Sequence, residues 1–198
     1  EKFFQASSYQ PSLDAPYAAK MVEYLDSDHR ILTCGSAEQF HALFHSVDAH
    51  DLPNMADVDS SMLYFCSLVG ERHRVALTGE CADEIFGGYP WFHRPELFSA
   101  PTFPWSVDLD ARKVLLKDEF AASLDMEGYV RQAYEAARAE APLLPGETGK
   151  QSERRILSYL NLRWFMQTLL NRMDRDAAAG HLSARVPFAD YRIVEYLW

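Results

Sequence analysis

The sequence predicts an α/β fold in which a parallel sheet is flanked by helices, followed by a mainly helical C-terminal half. Two observations support the α/β part. Residues 1–90 alternate segments of helical periodicity with short apolar runs, the order that a doubly wound sheet produces. The run Val75–Leu77 is typical of a buried parallel strand, and it ends in an acidic loop that contains glycine. Residues 91–198 are predicted mainly as helices, and we treat residues 1–198 as one domain.

Composition limits the classes of protein to which the chain can belong. A length of 198 residues is enough for one domain with a sizeable core, and the net charge of −10 argues against nucleic-acid binding. No apolar run approaches the roughly 20 residues of a membrane span, and no secretory signal is evident. The three cysteines, Cys34, Cys66 and Cys81, suggest neither a disulfide framework nor a zinc site. We therefore expect a cytoplasmic protein.

The first half contains helices whose apolar residues recur at helical spacing and short runs typical of strands. The expected elements are, in order, a weak strand at Phe3–Phe4, a helix capped within Ser12–Asp14, a strand at Arg30–Thr33, a helix capped by Ser36, a polar loop at Asp48–Asp59, a helix capped by Asp59 or Ser60 that ends at Gly70, and the strand Val75–Leu77.

The second half begins with a segment rich in proline and aromatic residues, positions 90–105, which excludes a long helix there. Its aromatic side chains either pack this loop onto the body of the protein or stack on a base; packing is the preferred interpretation. The remaining expected elements are helical structure over Val107–Leu143 broken at Gly128, a loop at Ala141–Gly149, a long helix opened by Ser152, a segment ending at Val186–Phe188, and a helix over Tyr191–Trp198.

The candidate site is the acidic stretch after Val75–Leu77. Glu80, Asp83 and Glu84 follow the strand closely, and Gly87-Gly88 predicts a turn with positive φ. Ligands of open α/β sheets bind at the carboxyl ends of strands, and clustered carboxylates suit magnesium held partly by substrate phosphates. The alternative is an acid-rich helix N-terminus, which the helix dipole favours. Cys81 is expected to be a packing residue, because neighbouring carboxylates disfavour its thiolate.

Two motifs resemble those of one enzyme family. The stretch TGECADEIFGGY at positions 78–89 is similar to the Ser/Thr-Gly-Glu-Gly-x-Asp-Glu-x-Phe-Gly-Gly-Tyr signature of the asparagine synthetases. Asp174-Arg175, nine residues and then RVPFAD at positions 185–190 resemble that family's Lys-Asp-Arg-x-Ser-Met-Ala-x-x-Leu-Glu-x-Arg-Val-Pro-Phe-x-Asp. Because both motifs occur in the family's order, coincidence is a poor explanation.

The resemblance implies an ATP pyrophosphatase-type fold, like that of the adenine nucleotide alpha hydrolases. It also implies an ATP-dependent carbon–nitrogen ligase that adenylates the side-chain carboxylate of aspartate. Ammonia, released from glutamine by a glutaminase domain that this chain lacks, then gives asparagine, AMP and pyrophosphate. The expected ligands are therefore aspartate, ATP, magnesium and ammonia, with no nucleic acid and no membrane, and a second copy is a candidate partner that would cover an exposed sheet edge.

The resemblance also assigns roles to residues of the first motif. Asp83 would be a magnesium ligand and a catalytic residue. Glu80 would face the acyl-adenylate and act as the general base that takes a proton from the attacking ammonia. Thr78 and Gly79 would contribute to nucleotide binding, with Gly79 allowing close approach of the backbone.

In the second motif, Arg175 and Arg185 would contribute to substrate or nucleotide binding, with Arg185 as a structural or phosphate-facing cation. Asp174 would pair with Arg175, and Asp190 would be structural. Ordinary ion pairing at helix ends is an equally good account of both arginines.

Several departures from the family are evident in these residues. The glycine-rich pyrophosphate loop Ser-Gly-Gly-x-Asp-Ser is absent, and so is an amino-terminal cysteine nucleophile. Met173 stands where the family commonly has Lys, Ala177 where it has Ser, and Ser183 where it has Glu. We therefore expect an internal fragment of a synthetase domain that folds but is inactive alone. The alternatives are a non-catalytic interaction or regulatory module and a related synthetase that forms amides or β-lactams, although Glu80 favours the asparagine branch.

Overall fold

A computed structural model describes residues 4–6, 12–98 and 100–198, apart from the side chain of Asp57. Internal contacts divide the chain into two compact units. The first unit is Glu1–Ala76 with Arg172–Arg185, and the second is Leu77–Asn171 with Val186–Trp198. No helix within the described ranges is long and apolar enough to cross a membrane.

The described part of the chain is mostly helical, with a small parallel sheet of two strands, β1 and β2. This confirms the coarse α/β prediction; the finer resemblance to adenine nucleotide hydrolases stays a prediction. The elements are α1 (Ala15–Leu25), α2 (Ser36–His50), α3 (Ala56–Gly70), β1 (Val75–Leu77), α4 (Ala82–Phe86), α5 (Pro95–Phe98), α6 (Asp110–Lys113), α7 (Asp118–Ser123), α8 (Met126–Glu140), α9 (Lys150–Leu160), a π-helical turn (Asn161–Phe165), α10 (Met166–Ala179), β2 (Ser183–Arg185) and α11 (Tyr191–Leu197).

The core of the first unit joins α3 to the C-terminal part of α10. Cys66, Met173, Ala177 and Leu182 are buried together. The backbones also approach closely, because a Cβ added to Gly70 would lie 1.9 Å from the carbonyl oxygen of Gly180. Only glycine allows this separation, so this crossing of α3 with the segment after α10 requires it.

A buried polar contact also ties α2 to α10. Nε2 of His50 lies 3.0 Å from Oδ1 of Asp176, and the side chain of Asp176 is fully buried. Burial raises the pKa of Asp176, and the hydrogen bond from His50 opposes that rise. The contact therefore compensates part of the free energy that burial of the carboxyl group costs.

Both strand predictions in the first unit need correction. Arg30–Thr33 forms no strand, and Ile31 is 82% exposed. Val75–Leu77 is a strand but is not buried, since Leu77 is 76% exposed. The sheet formed by the described residues has two strands, so β1 has little to pack against and Arg30–Thr33 has no strand to pair with. Of the predicted strand Phe3–Phe4, Phe3 lies outside the described residues, and Phe4 is not in a strand.

The helices of the first unit follow their predicted periodicity, and differ mainly at their ends. α1 begins after Asp14, and α3 ends at Gly70, as predicted. α3 begins at Ala56 rather than after Asp59 or Ser60. The N-cap is Met55, and Oδ2 of Asp59, inside the first turns of the helix, accepts a hydrogen bond of 2.9 Å from the backbone N–H of Met55. The predicted cap therefore lies inside α3, because the helix begins earlier along the chain than the sequence predicts.

The second unit is held together by an aromatic core. Phe103, Ala137, Ile156 and Leu160 are buried, and Trp105 packs against them. Phe103 and Trp105 therefore pack against α8 and α9, as the preferred interpretation of these aromatic residues predicts.

The helical part of the second unit is interrupted at different points from those predicted. α8 begins at Met126, and Gly128 lies inside its first turn instead of breaking it. The carboxylate of Asp125 accepts a hydrogen bond of 3.2 Å from the N–H of Gly128, so Asp125 is the cap that starts α8. The predicted loop Ala141–Gly149 is confirmed, and the long helix that follows it begins at Lys150.

Candidate functional site

The acidic loop, defined here as residues 78–89, follows β1 and belongs to the second unit. The hydroxyl oxygen of Thr78 accepts a hydrogen bond of 2.9 Å from the backbone N–H of Glu80. The N–H of Ala82 donates to the carbonyl oxygen of Gly79 at 3.3 Å. A Cβ added to Gly79 would meet no atom within 4 Å. The space beside Gly79 is thus open, which is what close approach of a ligand to this backbone requires.

Asp83 is presented to solvent by the glycine pair at the end of α4. Gly87 has φ of 72°, which confirms the predicted turn with positive φ, and the N–H of Gly88 donates to the carbonyl oxygen of Asp83 at 3.0 Å. A Cβ on Gly88 would lie 1.9 Å from Oδ1 of Asp83. The exposed carboxylate of Asp83 therefore lies over Gly88, in space that any other residue would fill.

Glu84 differs from the other two acids because it is 2% exposed. Its Oε1 accepts a hydrogen bond of 2.6 Å from the hydroxyl group of Tyr89. Burial raises the pKa of Tyr89, and the hydrogen bond to Glu84 and the charges of Asp83 and Glu80 raise it further. All three acids of the loop are therefore close enough to Tyr89 to disfavour its ionisation, and Tyr89 serves as a hydrogen-bond donor.

Cys81 is a packing residue, as predicted. It is 1% exposed and adopts a left-handed backbone conformation with φ of 74°. Burial, and then the charges of Glu84 and Glu80, raise the pKa of the Cys81 thiol to about 11. A thiol with this pKa remains protonated at neutral pH, so it is a poor nucleophile.

The two predicted arginines of the second motif lie in the first unit. Nη1 of Arg175 donates to the carbonyl oxygen of Ala49 at 3.2 Å and pairs with the carboxylate of Asp51 at 2.9 Å. Arg185 is exposed, and its Nη1 donates to the hydroxyl oxygen of Ser183 at 2.6 Å. Arg175 thus pairs with Asp51, and among the described residues no ion pair joins it to Asp174. That either arginine contacts a nucleotide stays a prediction.

The donor set of the loop suits magnesium only if another molecule completes the coordination. Among the side chains that the structure describes, no group of three or more His, Cys, Asp and Glu residues could hold a metal ion. Magnesium is commonly held by one or two carboxylates together with substrate phosphates and water. The solvent-exposed carboxylate of Asp83 fits that arrangement, whereas the buried carboxylate of Glu84 is already used by Tyr89.

A cavity of about 590 Å³ lies within the second unit. Glu84, Ile85, Arg154 and Trp198 are among the residues that line it, whereas Asp83 is not. Arg155 at its edge pairs with Glu147 at 2.7 Å. The cavity is therefore separate from the exposed carboxylate to which the sequence assigns the chemistry.

Comparison with known proteins decides the family. A sequence model of the family described as asparagine synthase matches residues 3–198. The chain belongs to the asparagine synthase family. It is also 47% identical, over all of its 198 residues, to the protein named asparagine synthetase [glutamine-hydrolyzing] 3 of Bacillus subtilis strain 168. The chain spans 32% of the length of that relative, about a third.

Membership in the asparagine synthase family confirms the resemblance carried by the two motifs, and it places the chain in a family of enzymes. The roles of Thr78, Gly79, Glu80 and Asp83, and the use of ATP and magnesium, stay predictions. The resemblance gave no role to Glu84, and residue type alone did not show that its environment differs from that of Glu80 and Asp83. All three acids have the same chemistry in the sequence, and only packing against Tyr89 shows that Glu84 faces inwards.

Proposed function

We propose that the chain forms the part of an asparagine synthetase-type ligase that carries its acidic catalytic loop. The reaction would begin with attack of the aspartate side-chain carboxylate on the α-phosphorus of ATP, which releases pyrophosphate and leaves a β-aspartyl adenylate. Ammonia derived from glutamine would then attack the acyl carbon and expel AMP, which gives asparagine. The observation that carries this proposal is the pair of acids in the loop, of which Asp83 is held open to solvent over Gly88.

The two acids have separate roles in this proposal. Asp83 would hold magnesium, which supplies positive charge that neutralises the phosphates of the nucleotide when it is bound. Glu80 is half-buried one residue before Cys81, and acts as the general base. It accepts a proton from the nitrogen of ammonia as the carbon–nitrogen bond forms, so that breaking the bond between the acyl carbon and the AMP oxygen releases AMP and gives a neutral amide. The open space beside Gly79 is where the backbone would approach the acyl-adenylate.

A chimera provides the test, since the chain aligns with 32% of the Bacillus subtilis relative. The aligned segment of the relative is replaced by this chain, and the products from glutamine, aspartate and ATP are measured. We expect asparagine and AMP in equal amounts, both dependent on aspartate, with the unmodified relative as the positive control. The 198-residue chain alone is expected to form neither, because it contains no Ser-Gly-Gly-x-Asp-Ser loop.

A non-catalytic module is the second candidate, and one observation favours it. Met173 and Ala177 stand where the family has Lys and Ser, and both are buried in the apolar core of the first unit. Two positions that are polar in the family's motif are thus occupied by apolar core residues in this chain. A chimera that folds, keeps the glutaminase activity of the relative and forms no asparagine would support the module and contradict the ligase.

A further inference from the structure

A buried asparagine lies at the start of the π-helical turn. Asn161 is fully buried. Its Nδ2 donates to the carbonyl oxygen of Leu157 at 2.9 Å, and its Oδ1 accepts a hydrogen bond of 3.2 Å from Nε1 of Trp91. Both ends of the amide are therefore used, which fixes its orientation. A π-helical turn is a rare interruption of a helix and is often found at functional sites.

Trp91 connects Asn161 to the acidic loop. Its ring stacks on Tyr89 with the centroids 4.4 Å apart and the planes at 24°. Phe165, at the other end of the π-helical turn, packs edge-on against Tyr89 at 5.2 Å and against Trp91 at 5.3 Å. The hydroxyl group of Tyr89 then donates to Glu84. A continuous series of contacts thus runs from Asn161 to α4.

We infer that Asn161 is a positioning residue for the acidic loop, acting through Trp91 and Tyr89 on Glu84. The effect of Asn161 on catalysis rests on the proposed function, in which Asp83 is a catalytic residue. Glu84 is the neighbour of Asp83 on α4, so a shift of Glu84 would also move Asp83. Asn161 itself touches neither acid of the proposed reaction.

The length of α4 explains why the loop needs this support. α4 has five residues, too few for a helix to be stable by itself. Its conformation therefore depends on contacts with the rest of the second unit, among them the partly buried hydrogen bond from Tyr89 to Glu84. A displacement of about 1 Å in a catalytic group can cost roughly 100-fold in rate, so a mobile α4 would impair Asp83 directly.

Hydrogen exchange of the loop amides tests this role without any ligand. The N–H groups of Ala82, Ile85 and Gly88 are hydrogen-bonded to backbone carbonyl oxygens within the loop, and report its opening. We expect Asn161→Leu, which removes the acceptor for Trp91, to lower their protection factors about tenfold, the effect of one lost hydrogen bond. The amides of α8, in the same unit, serve as the internal reference and should keep their protection.

Asn161→Asp provides a pH profile that a general loss of packing would not give. A protonated carboxyl group keeps one acceptor for Trp91 and one donor for Leu157, as the amide does. Burial raises the pKa of the introduced carboxyl group, so the protonated form persists into mildly acidic pH. The ionised form still accepts a hydrogen bond from Trp91, but it loses the donor to Leu157 and leaves a charge in a fully buried site. Loop protection in Asn161→Asp should therefore match the unsubstituted chain near pH 5 and fall below it near pH 8.

Three results would overturn the inference: unchanged loop protection in Asn161→Leu, an equal loss of protection in α8, or an Asn161→Asp variant that behaves like Asn161→Leu at every pH. Failure of the proposed function is a separate outcome. It would be seen as absence of aspartate-dependent AMP from the chimera, whatever the exchange rates show.

Discussion

Gly180→Ala should destabilise the first unit. Gly180 follows α10 and lies against the backbone of α3. A Cβ at this position would lie 2.7 Å from the carbonyl carbon of Cys66 and 2.8 Å from the nitrogen of Ser67. Both are main-chain atoms within α3, so no side-chain rotation can relieve the clash. The methyl group fits only if α3 moves, and overpacking of this kind costs about 1–3 kcal/mol in the free energy of unfolding.

Thermal unfolding followed by circular dichroism measures this effect. For a chain of this size, each kcal/mol lowers Tm by about 2–4 °C, so the expected fall is between about 2 and 12 °C. Gly79→Ala is the matched control, because a Cβ there meets no atom within 4 Å and its Tm should be unchanged or slightly raised. A Gly180→Ala variant that melts with Gly79→Ala would refute the close approach of α3 to this segment.

Three further predictions concern the second unit and the cysteines. Gly88→Ala should displace the carboxylate of Asp83, at a cost of about 0.5–1.5 kcal/mol if the side chain is forced off its rotamer, and a crystal structure would show whether it moved. Cys81 should react far more slowly than the half-buried Cys34 with a thiol reagent at pH 8, because burial raises its pKa to about 11; equal rates would contradict that burial. Hydrogen bonds from Arg192 lower the pKa of Asp190 to about 2, so the stability that its capping gives α11 should be complete above the ordinary pKa of 3.8, decline below it and be lost as the pH falls through about 2. Hydrogen exchange in α11 that already rises between about pH 7 and pH 5 would contradict this.

Helical periodicity predicted the helices of the first unit because it reports a property of each segment alone. α2 and α3 both appear where their apolar residues recur at helical spacing. A strand, in contrast, depends on a partner that the local sequence does not specify. Arg30–Thr33 has the composition of a strand and forms none, and Val75–Leu77 forms one without being buried.

The acidic loop could be found from sequence because its residue types and spacing are specific. Which of its acids face solvent and which are buried could not be predicted. Glu84 is of the same type as Glu80, but packing against Tyr89 turns it inwards. Asn161 gave no signal at all, because an asparagine within a helical segment is usually a surface residue. Its importance follows from a π-helical turn and from a contact with Trp91, 70 positions away, which no local pattern encodes.

Aspartate-dependent release of pyrophosphate tests whether the acidic loop carries out adenylation. It is measured for the chimera and for its Asp83→Asn and Glu80→Gln variants. Glu135→Gln, at an exposed position on α8, is the matched control. We predict that Asp83→Asn loses at least about 100-fold of the pyrophosphate release, since removal of one electrostatic stabiliser costs on that order. Glu80→Gln should retain more pyrophosphate release than asparagine formation, because Glu80 acts in the second step. Pyrophosphate release by Asp83→Asn at the rate of Glu135→Gln would contradict the assignment of adenylation to the acidic loop.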